Sequence, residues 1–492
     1  MKAKKNQPSY QILICLIKIW TPQDKQKPME VPDDAMLISE VEDIEIEESY
    51  KKLIGTASIK FPRGTVIRKT VTTFNEDEVA KSKTLDASIS ASGIVEEVRQ
   101  TSSVASSSSF SVGQRIRIYL GYTTDPAIAD LAKVSNAKKN IFNDKNQRSK
   151  YESAYPQLQT DTTKYTDIAF DGYITKISVD TPIELQCENL ASVLKQVSCP
   201  KISIKSKATV LDFLGDNTKY NLLKGTGIKL HSRAKTEKWD LGKIDLTPDL
   251  TVADVLTEWS KFGIHCFMSE ENGSPVVVIG RSYFDNAKKD SIINANSQPS
   301  EPTKILFDYH VANNGLTLTS TDKKFLAVDA QGLGADDTFF HLTVLLNPKY
   351  DSSKSGSEKW RVVNVSNVSK KSMKRGATVS SKSSDKVDLN TYTIIPYQSR
   401  KIPITQKELT EEAKKYFESY NMNGIDGSLT LFGDLHLHTA TKVELSDDRY
   451  PGKNGYYLVD EVNTKFGTGG YRQTIKIPYC IKRIKQSNNE QS

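Results

Sequence analysis

The sequence predicts a mainly β protein with an α+β insert, and three observations point that way. Apolar and polar residues alternate through the first third of the chain, as in Ile116, Ile118 and Leu120 set against Arg115, Arg117 and Tyr119. Between roughly 190 and 300 the apolar residues instead fall at helical spacing behind Thr-x-x-Asp start signals. From Lys304 the two-residue period returns and runs almost to the end, broken by one amphipathic helix.

Composition narrows the class without naming a function. The 492 residues offer room for three or four domains of ordinary size. At 37% hydrophobic and 26% charged, the chain is polar but not built like a disordered one. A surplus of +7, from 67 basic and 60 acidic side chains, is too mild to indicate a nucleic-acid-binding face by itself. Five scattered cysteines (Cys15, Cys187, Cys199, Cys266, Cys480) without a C-x-x-C exclude a disulfide framework and a zinc knuckle. They fit assembly in a reducing cytoplasm.

The N-terminus imitates a secretion signal, with Lys2, Lys4 and Lys5 ahead of the apolar run Ile12 to Ile17. Lys18 interrupts the run and Trp20-Thr21-Pro22 supplies no small-residue cleavage site, so the run reads as a buried strand with two apolar faces. No stretch reaches the ~18 apolar residues of a membrane span, and the chain reads as soluble.

Further strands are expected over Met36–Ile46, Lys51–Phe61 (closed by the Pro62-Arg63-Gly64 turn), Gln114–Tyr122, Ile168–Val179 with Gly172 inside it, and Ile183–Cys187. The segment 102–111, with seven serines in ten, and the polar stretch 123–165 read as long loops between strands. Glu188–Val197 then reads as a helix with Leu190, Val193, Leu194 and Val197 on one face. Thr209 to Leu214 recurs as Thr251 to Leu256, each with Thr as N-cap and Asp at N3. The shared capping chemistry accounts for the repeat better than a functional duplication. The second helix continues through Trp259 and Phe262 to a C-capping Gly263, and a hairpin follows, Ile264–Met268 and Pro275–Gly280 about a turn at Glu271-Asn272-Gly273-Ser274.

Segment 351–390, with eleven serines and nine basic against four acidic residues, reads as an exposed flexible loop, with Trp360–Val368 as a candidate short strand inside it. Thr405 to Tyr420 is a capped amphipathic helix that places Leu409, Ala413, Tyr416, Phe417 and Tyr420 on one face. Strands are expected over Gly427–Phe432, Leu435–Leu445, Gly455–Lys465 and Gly470–Ile481.

The search for chemistry finds no nucleophile elbow, Walker loop, H-E-x-x-H or dinucleotide fingerprint. Only Asp434-Leu435-His436-Leu437-His438 clusters histidines; on a strand, Asp434, His436 and His438 would share one face, as the start of a divalent-metal site would. The interleaved Leu435 and Leu437 make an amphipathic strand the preferred reading, and no metal ligand is assigned. The acidic run Glu40 to Glu48 contains paired carboxylates of the kind glycoside hydrolysis needs, but Val41, Ile44 and Ile46 between them mark a solvated strand face. The basic loop 351–390 lacks the interleaved aromatics of a nucleic-acid site apart from Trp360. No catalytic, cofactor-binding or metal residue is therefore expected, and no enzyme.

The C-terminal third is the most distinctive region. Its capped helix leads to Gly427-Ser428-Leu429-Thr430-Leu431-Phe432-Gly433. After a polar strand ending in Thr441-Lys442-Val443-Glu444-Leu445 come Gly455-Tyr456-Tyr457-Leu458-Val459-Asp460-Glu461-Val462 and Gly469-Gly470-Tyr471-Arg472-Gln473-Thr474-Ile475-Lys476-Ile477. This order resembles the end of phage tail baseplate hub proteins, the late control protein D family and the hub part of VgrG in contractile injection systems. Upstream, Gly113–Tyr122 with Phe170–Val179 is similar to the first hub barrel, Leu185–Leu194 to its strand-to-helix exit, and Thr251–Gly263 with its hairpin to the small hub insert. The resemblance spans roughly two thirds of the chain, departs from the family in the Ser-rich segments 102–111 and 351–390, and shows no spike domain before Ser492, so a separate spike protein is expected.

The resemblance implies two tube-like β-barrel domains and a smaller middle domain in a trimeric hub. Residues 1–190 would form the first barrel, with polar insertions at about 70–112 and 123–165. Residues 191–304 would be the middle α+β domain, and 305–350 with 391–484, including helix 405–420, the second barrel. The loop 351–390 and the tail 485–492 would lie outside these units. It further implies a structural, non-enzymatic part of a virion or injection particle. Such a homotrimer would meet the tail tube, the central spike and other baseplate proteins, and its lumen, lined by the Lys and Arg surplus, would pass DNA or effectors. The alternatives are a secreted β-rich glycan-binding or adhesive protein and a tail-associated peptidoglycan hydrolase.

Overall fold

The computed structural model describes residues 12–22, 31–32, 35–74, 96–123, 168–178, 182–216, 218–232, 240–262, 264–271, 274–281, 302–318, 326–334, 338–347, 358–368, 389, 392–399, 403–420 and 425–484. The protein is mainly β with a few helices. Its largest element is a 13-stranded sheet built from both the first and the last parts of the chain.

One end of that sheet is N-terminal. Ile12–Trp20 pairs along its whole length with Arg115–Thr123, which pairs with Ile168–Ile177, then Ile183–Asn189, Thr56–Phe61 and Asp43–Ser49, all antiparallel. Alternation places Ile17, Ile44, Ile59, Ile116, Ile118 and Leu185 in one fully buried core. Gly172 is needed where two strands press together, since a Cβ there would fall 2.1 Å from the Glu188 carbonyl oxygen.

Asp43–Ser49 then pairs with Glu461–Gly467, joining residues more than four hundred positions apart. Beyond this seam the sheet continues through Gly470–Lys476 and Leu429–Phe432 to Val311–Asn314. A four-stranded sheet, in order Thr303–Leu306, Lys442–Ser446, Gly455–Leu458 and Tyr479–Arg483, faces this end across a core of Ile305, Leu431, Val443, Tyr457, Val462 and Ile475. The expected strands Gly455–Lys465 and Gly470–Ile481 are each divided between the two sheets, at Val459-Asp460 and at Ile477-Pro478. The chain thus turns a corner and both sheets enclose one core.

The middle has a core of its own, with Phe213, Leu214, Val252, Leu256, Trp259 and Val277. Both Thr-x-x-Asp signals cap helices as expected: Thr209 and Asp212 start Val210–Leu214, and Thr251 and Asp254 start Val252–Glu258. The hairpin forms between Ile264–Glu271 and Ser274–Arg281. Gly263, Asn272 and Gly273 lie outside the described residues. The segment expected as a helix over Glu188–Val197 is a 3-10 turn, Leu190–Gln196, with Asn189 as its N-cap. A further four-stranded sheet, in order Trp360–Val368, Phe339–Leu346, Leu326–Leu333 and Thr393–Gln398, packs under the helix Gln406–Tyr420 through Leu409, Ala413 and Phe417. Thr405 and Glu408 complete that helix's capping box.

Three further expectations are corrected. The Ser-rich segment 102–111 is a loop only from 105 onward, and its first three residues end a strand. Glu96–Val104 pairs residue for residue with Val66–Phe74, because a backbone ladder needs no apolar side chains, and Phe110 turns inward to stack on Phe61 at 5.6 Å. Within 351–390, Trp360–Val368 is a strand of the sheet under the helix, so this part is not a flexible loop. Trp360 meets Phe417 edge-on at 5.1 Å, and Asn364 at φ 53° forms a bulge that resets the alternation. Finally, Leu435–Leu445 is not one strand. Gly433–Leu435 is a 3-10 turn, His436 takes φ 46°, and the strand begins only at Lys442. Among the described residues no helix is long and apolar enough to cross a membrane.

Candidate functional site at the junction of the cores

The two histidines of the Asp434–His438 motif are separated by this turn. The left-handed backbone at His436 sends its ring to Tyr471, whose hydroxyl lies 3.3 Å from Nδ1. His438 Nδ1 lies 3.4 Å from a Glu48 carboxylate oxygen instead, and Asp434 is exposed. The expected single face of Asp434, His436 and His438 does not exist, because a strand geometry was required for it. Among the described residues no group of three or more metal-ligating side chains occurs.

The structure joins the two acidic and histidine motifs that the sequence kept apart. Glu48, from the acidic run, reaches His438, while Glu45 takes hydrogen bonds from Asn463 and pairs with Lys465 at 3.0 Å across the seam. The Asn463 and Lys465 contacts hold the Glu45 carboxyl below its ordinary value. The strand alternates as expected, with Ile44 and Ile46 buried and Asp43 and Glu47 exposed, and two of its partly exposed carboxylates bind the first part of the chain to the last. Of the basic residues in 351–390, only Lys359 and Arg361 are described, and Lys359 pairs with Glu418 at 2.8 Å.

Glu48 and His438 stand at a cleft of about 320 Å³ where three parts of the chain meet. Asp171 comes from the first part, Leu190, Phe267 and Glu270 from the middle, and His438 from the last. Its walls are fixed from behind. Gln473, 3% exposed, grips the backbone of Leu437 with a donated bond of 3.0 Å and an accepted one of 2.9 Å. Asp460 holds Lys51 in an ion pair and accepts from Ser49. Nearby, His265 is buried with its ring 5.7 Å from Tyr50, and burial, helped by Lys51, pushes its pKa down to about 4.

Sequence alternation missed one arrangement entirely. Arg115 and Arg117 were expected on a polar face, yet Arg115 is fully buried and Arg117 is 7% exposed. Both guanidinium groups share Asp171, at 2.5 Å from Arg115 and 2.7 Å from Arg117, and Arg115 lies between the rings of Trp20 and Tyr173. Nε and Nη1 of Arg115 have no hydrogen-bond partner among the described residues. The signal available in the sequence was Asp171 between Phe170 and Gly172, both buried in this strand. Burial pushes the Cys15, Cys187 and Cys266 thiols far up and Cys199 to about 11, away from the reactive thiolate form.

No protein-family model matches the chain, and no curated protein does. Solved structures do. A tail protein from Neisseria meningitidis aligns over 94% of this chain and 96% of its own, at 11% identity and a TM-score of 0.46. The 43 kDa tail protein of prophage MuSo2 from Shewanella oneidensis aligns over 94% and 98%, at 11% identity and a TM-score of 0.42. An E. coli component of the type VI secretion system, described as similar in structure to T4 tail proteins, aligns over 94% and 76%, at 11% identity and a TM-score of 0.34. The structures it resembles are thus tail and secretion-system proteins.

Proposed function

We propose that this chain is a structural baseplate hub of a phage tail or a related injection system. Three copies would form a ring that adapts a hexameric tail tube to a trimeric central spike and lets DNA or effectors through. The observation that carries this reading is the seam between Asp43–Ser49 and Glu461–Gly467. In this reading it joins two barrel-like halves into one sheet, each chain would offer two similar units, and three chains would offer six. In this reading the halves correspond to 1–190 and to 305–350 with 391–484, and 191–304 is the middle domain.

Two further features support it. The order of motifs in the last third resembles that of hub proteins. Among the described strands the long sheet also ends in two, Val311–Asn314 and Glu96–Val104, and such edges serve assembly. The experiment is negative-stain microscopy of the purified protein. Rings of threefold symmetry with a central lumen are expected; isolated monomers that bind glycans would contradict the reading.

A further inference from the structure

We propose that the junction where the middle of the chain docks on its first and last parts is an acid-released latch, held shut by a neutral His265. Such a latch does not depend on the ring reading above.

The junction has a small core of its own, shared by three parts of the chain. Tyr50 comes from the first part, Phe267, Val276 and Val278 from the hairpin of the middle, and Ala440 and Leu458 from the last. The hairpin has two different faces. On one, Cys266, Val277 and Ile279 belong to the core of the middle. On the other, His265 stands two residues before Phe267 and shares its direction. The residue paired with His265 across the hairpin is Gly280, so no side chain stands directly opposite it. Further along this face, Phe267 and Ser269 line the cleft of about 320 Å³.

His265 is 9% exposed, meets the Tyr50 ring edge-on at 5.7 Å, and has no hydrogen-bond partner for Nδ1 among the described residues. The first part brings to it the Tyr50 phenol and the Lys51 ammonium, which opposes a second cation. The last part brings Asp460, whose carboxylate is already engaged by Lys51 and Ser49. Glu48, paired with His438, and Glu270 stand at the cleft. From the hairpin itself come Phe267 and Gly280, which do not titrate. A neutral imidazole suits this setting. A protonated one would be a buried cation beside Lys51, with Asp460 engaged elsewhere.

The closed junction also holds backbone strain. Ala440, buried in it, takes φ 59°, and His436 close by takes φ 46°, conformations that non-glycine residues keep only where their surroundings impose them. The middle has a separate core around Phe213, Val252 and Trp259, and the sheets have theirs, so the junction can open while each stays folded. Leu53, from the first part, is anchored in the core of the middle and keeps the two hinged there. Opening along the cleft hydrates His265 and lets it take a proton. Its value of about 4 when closed, against an ordinary 6.5, permits up to roughly hundredfold more opening in acid.

The test is hydroxyl-radical footprinting of the full chain at about pH 6.5 and about pH 4, read by mass spectrometry at single side chains. Oxidation of Tyr50 and Phe267 is expected to rise by roughly tenfold or more in acid and to fall again when the pH is restored. Phe61 and Phe213, in the separate cores, should stay protected. His265→Phe, which keeps a ring, and His265→Gln, which keeps polarity, should both lose the acid response. Equal oxidation of Tyr50 and Phe267 at the two pH values overturns the latch, as does a rise in both variants equal to that of the wild type. A simultaneous rise at Phe61 and Phe213 would mark global acid unfolding and overturn it as well.

Discussion

Gly433 lies directly against the ring of Tyr471: a Cβ at position 433 would fall 2.3 Å from two ring carbons. The same ring stacks on Tyr122 at 5.6 Å and meets Phe466 at 5.8 Å, and Tyr122 donates its hydroxyl hydrogen to the Tyr471 carbonyl at 2.7 Å. Tyr471 therefore ties the turn at 433–438 to a strand from the first part of the chain. Gly433→Ala is expected to cost about 1–3 kcal/mol, read by chemical denaturation. Combined with Tyr471→Ala the two costs should fall short of additive, because removing the ring removes the clash. Strict additivity would contradict the contact.

The Arg115–Asp171–Arg117 cluster separates two kinds of loss. Asp171→Asn leaves two buried guanidinium groups without their carboxylate and is expected to cost on the order of 3–5 kcal/mol. Arg115→Met removes a cation whose Nε and Nη1 have no hydrogen-bond partner among the described residues, and leaves Asp171 with Arg117. It should be within about 1 kcal/mol of neutral, or stabilising. Equal costs for the two substitutions, in the same denaturation experiment, would refute the assignment.

His265 predicts a pH dependence. Its folded value of about 4 lies below the ordinary 6.5, so the unfolded chain takes up the proton first as pH falls. Its contribution is intact above about pH 6.5 and is lost between there and about pH 4, a total of roughly 3 kcal/mol. His265→Phe keeps a ring beside Tyr50 and should flatten this part of the stability profile. An unchanged profile in the variant would show that other groups are responsible.

The local features of the fold were legible in the sequence, and the long-range ones were not. The capping boxes at Thr209, Thr251 and Thr405 involve residues three apart, so their chemistry is complete within a short stretch. Arg115 alternates with isoleucines like any surface residue; only the packing of Trp20 and Tyr173 around it makes it buried. Leu435 and Leu437 keep a strand's period, but the Gly433–Tyr471 contact and the left-handed His436 turn the chain there. The Ser-rich segment misled for the opposite reason, since its ladder with Val66–Phe74 depends on backbone groups that composition does not reveal. Of the junction, the sequence offered Glu48 and His438 separately; their meeting depends on a seam between the first and last parts of the chain.

That seam also sets an expectation for the acidic run. Glu45 has a folded value below its unfolded one, so its support is present above the ordinary carboxylate range and lost as pH falls through the folded value. Glu45→Gln should remove that acid-dependent component and weaken protection of Asn463 and Lys465 amides in hydrogen exchange. Unaltered exchange along Glu461–Gly467 would show that the charge contributes nothing to the seam.

The central claim is that one chain supplies two units of a ring and that three chains close it. Mass photometry of the purified protein measures this directly. The account predicts a dominant species at three times 54.9 kDa, persisting on dilution. A single species at 54.9 kDa over the whole concentration range would contradict it.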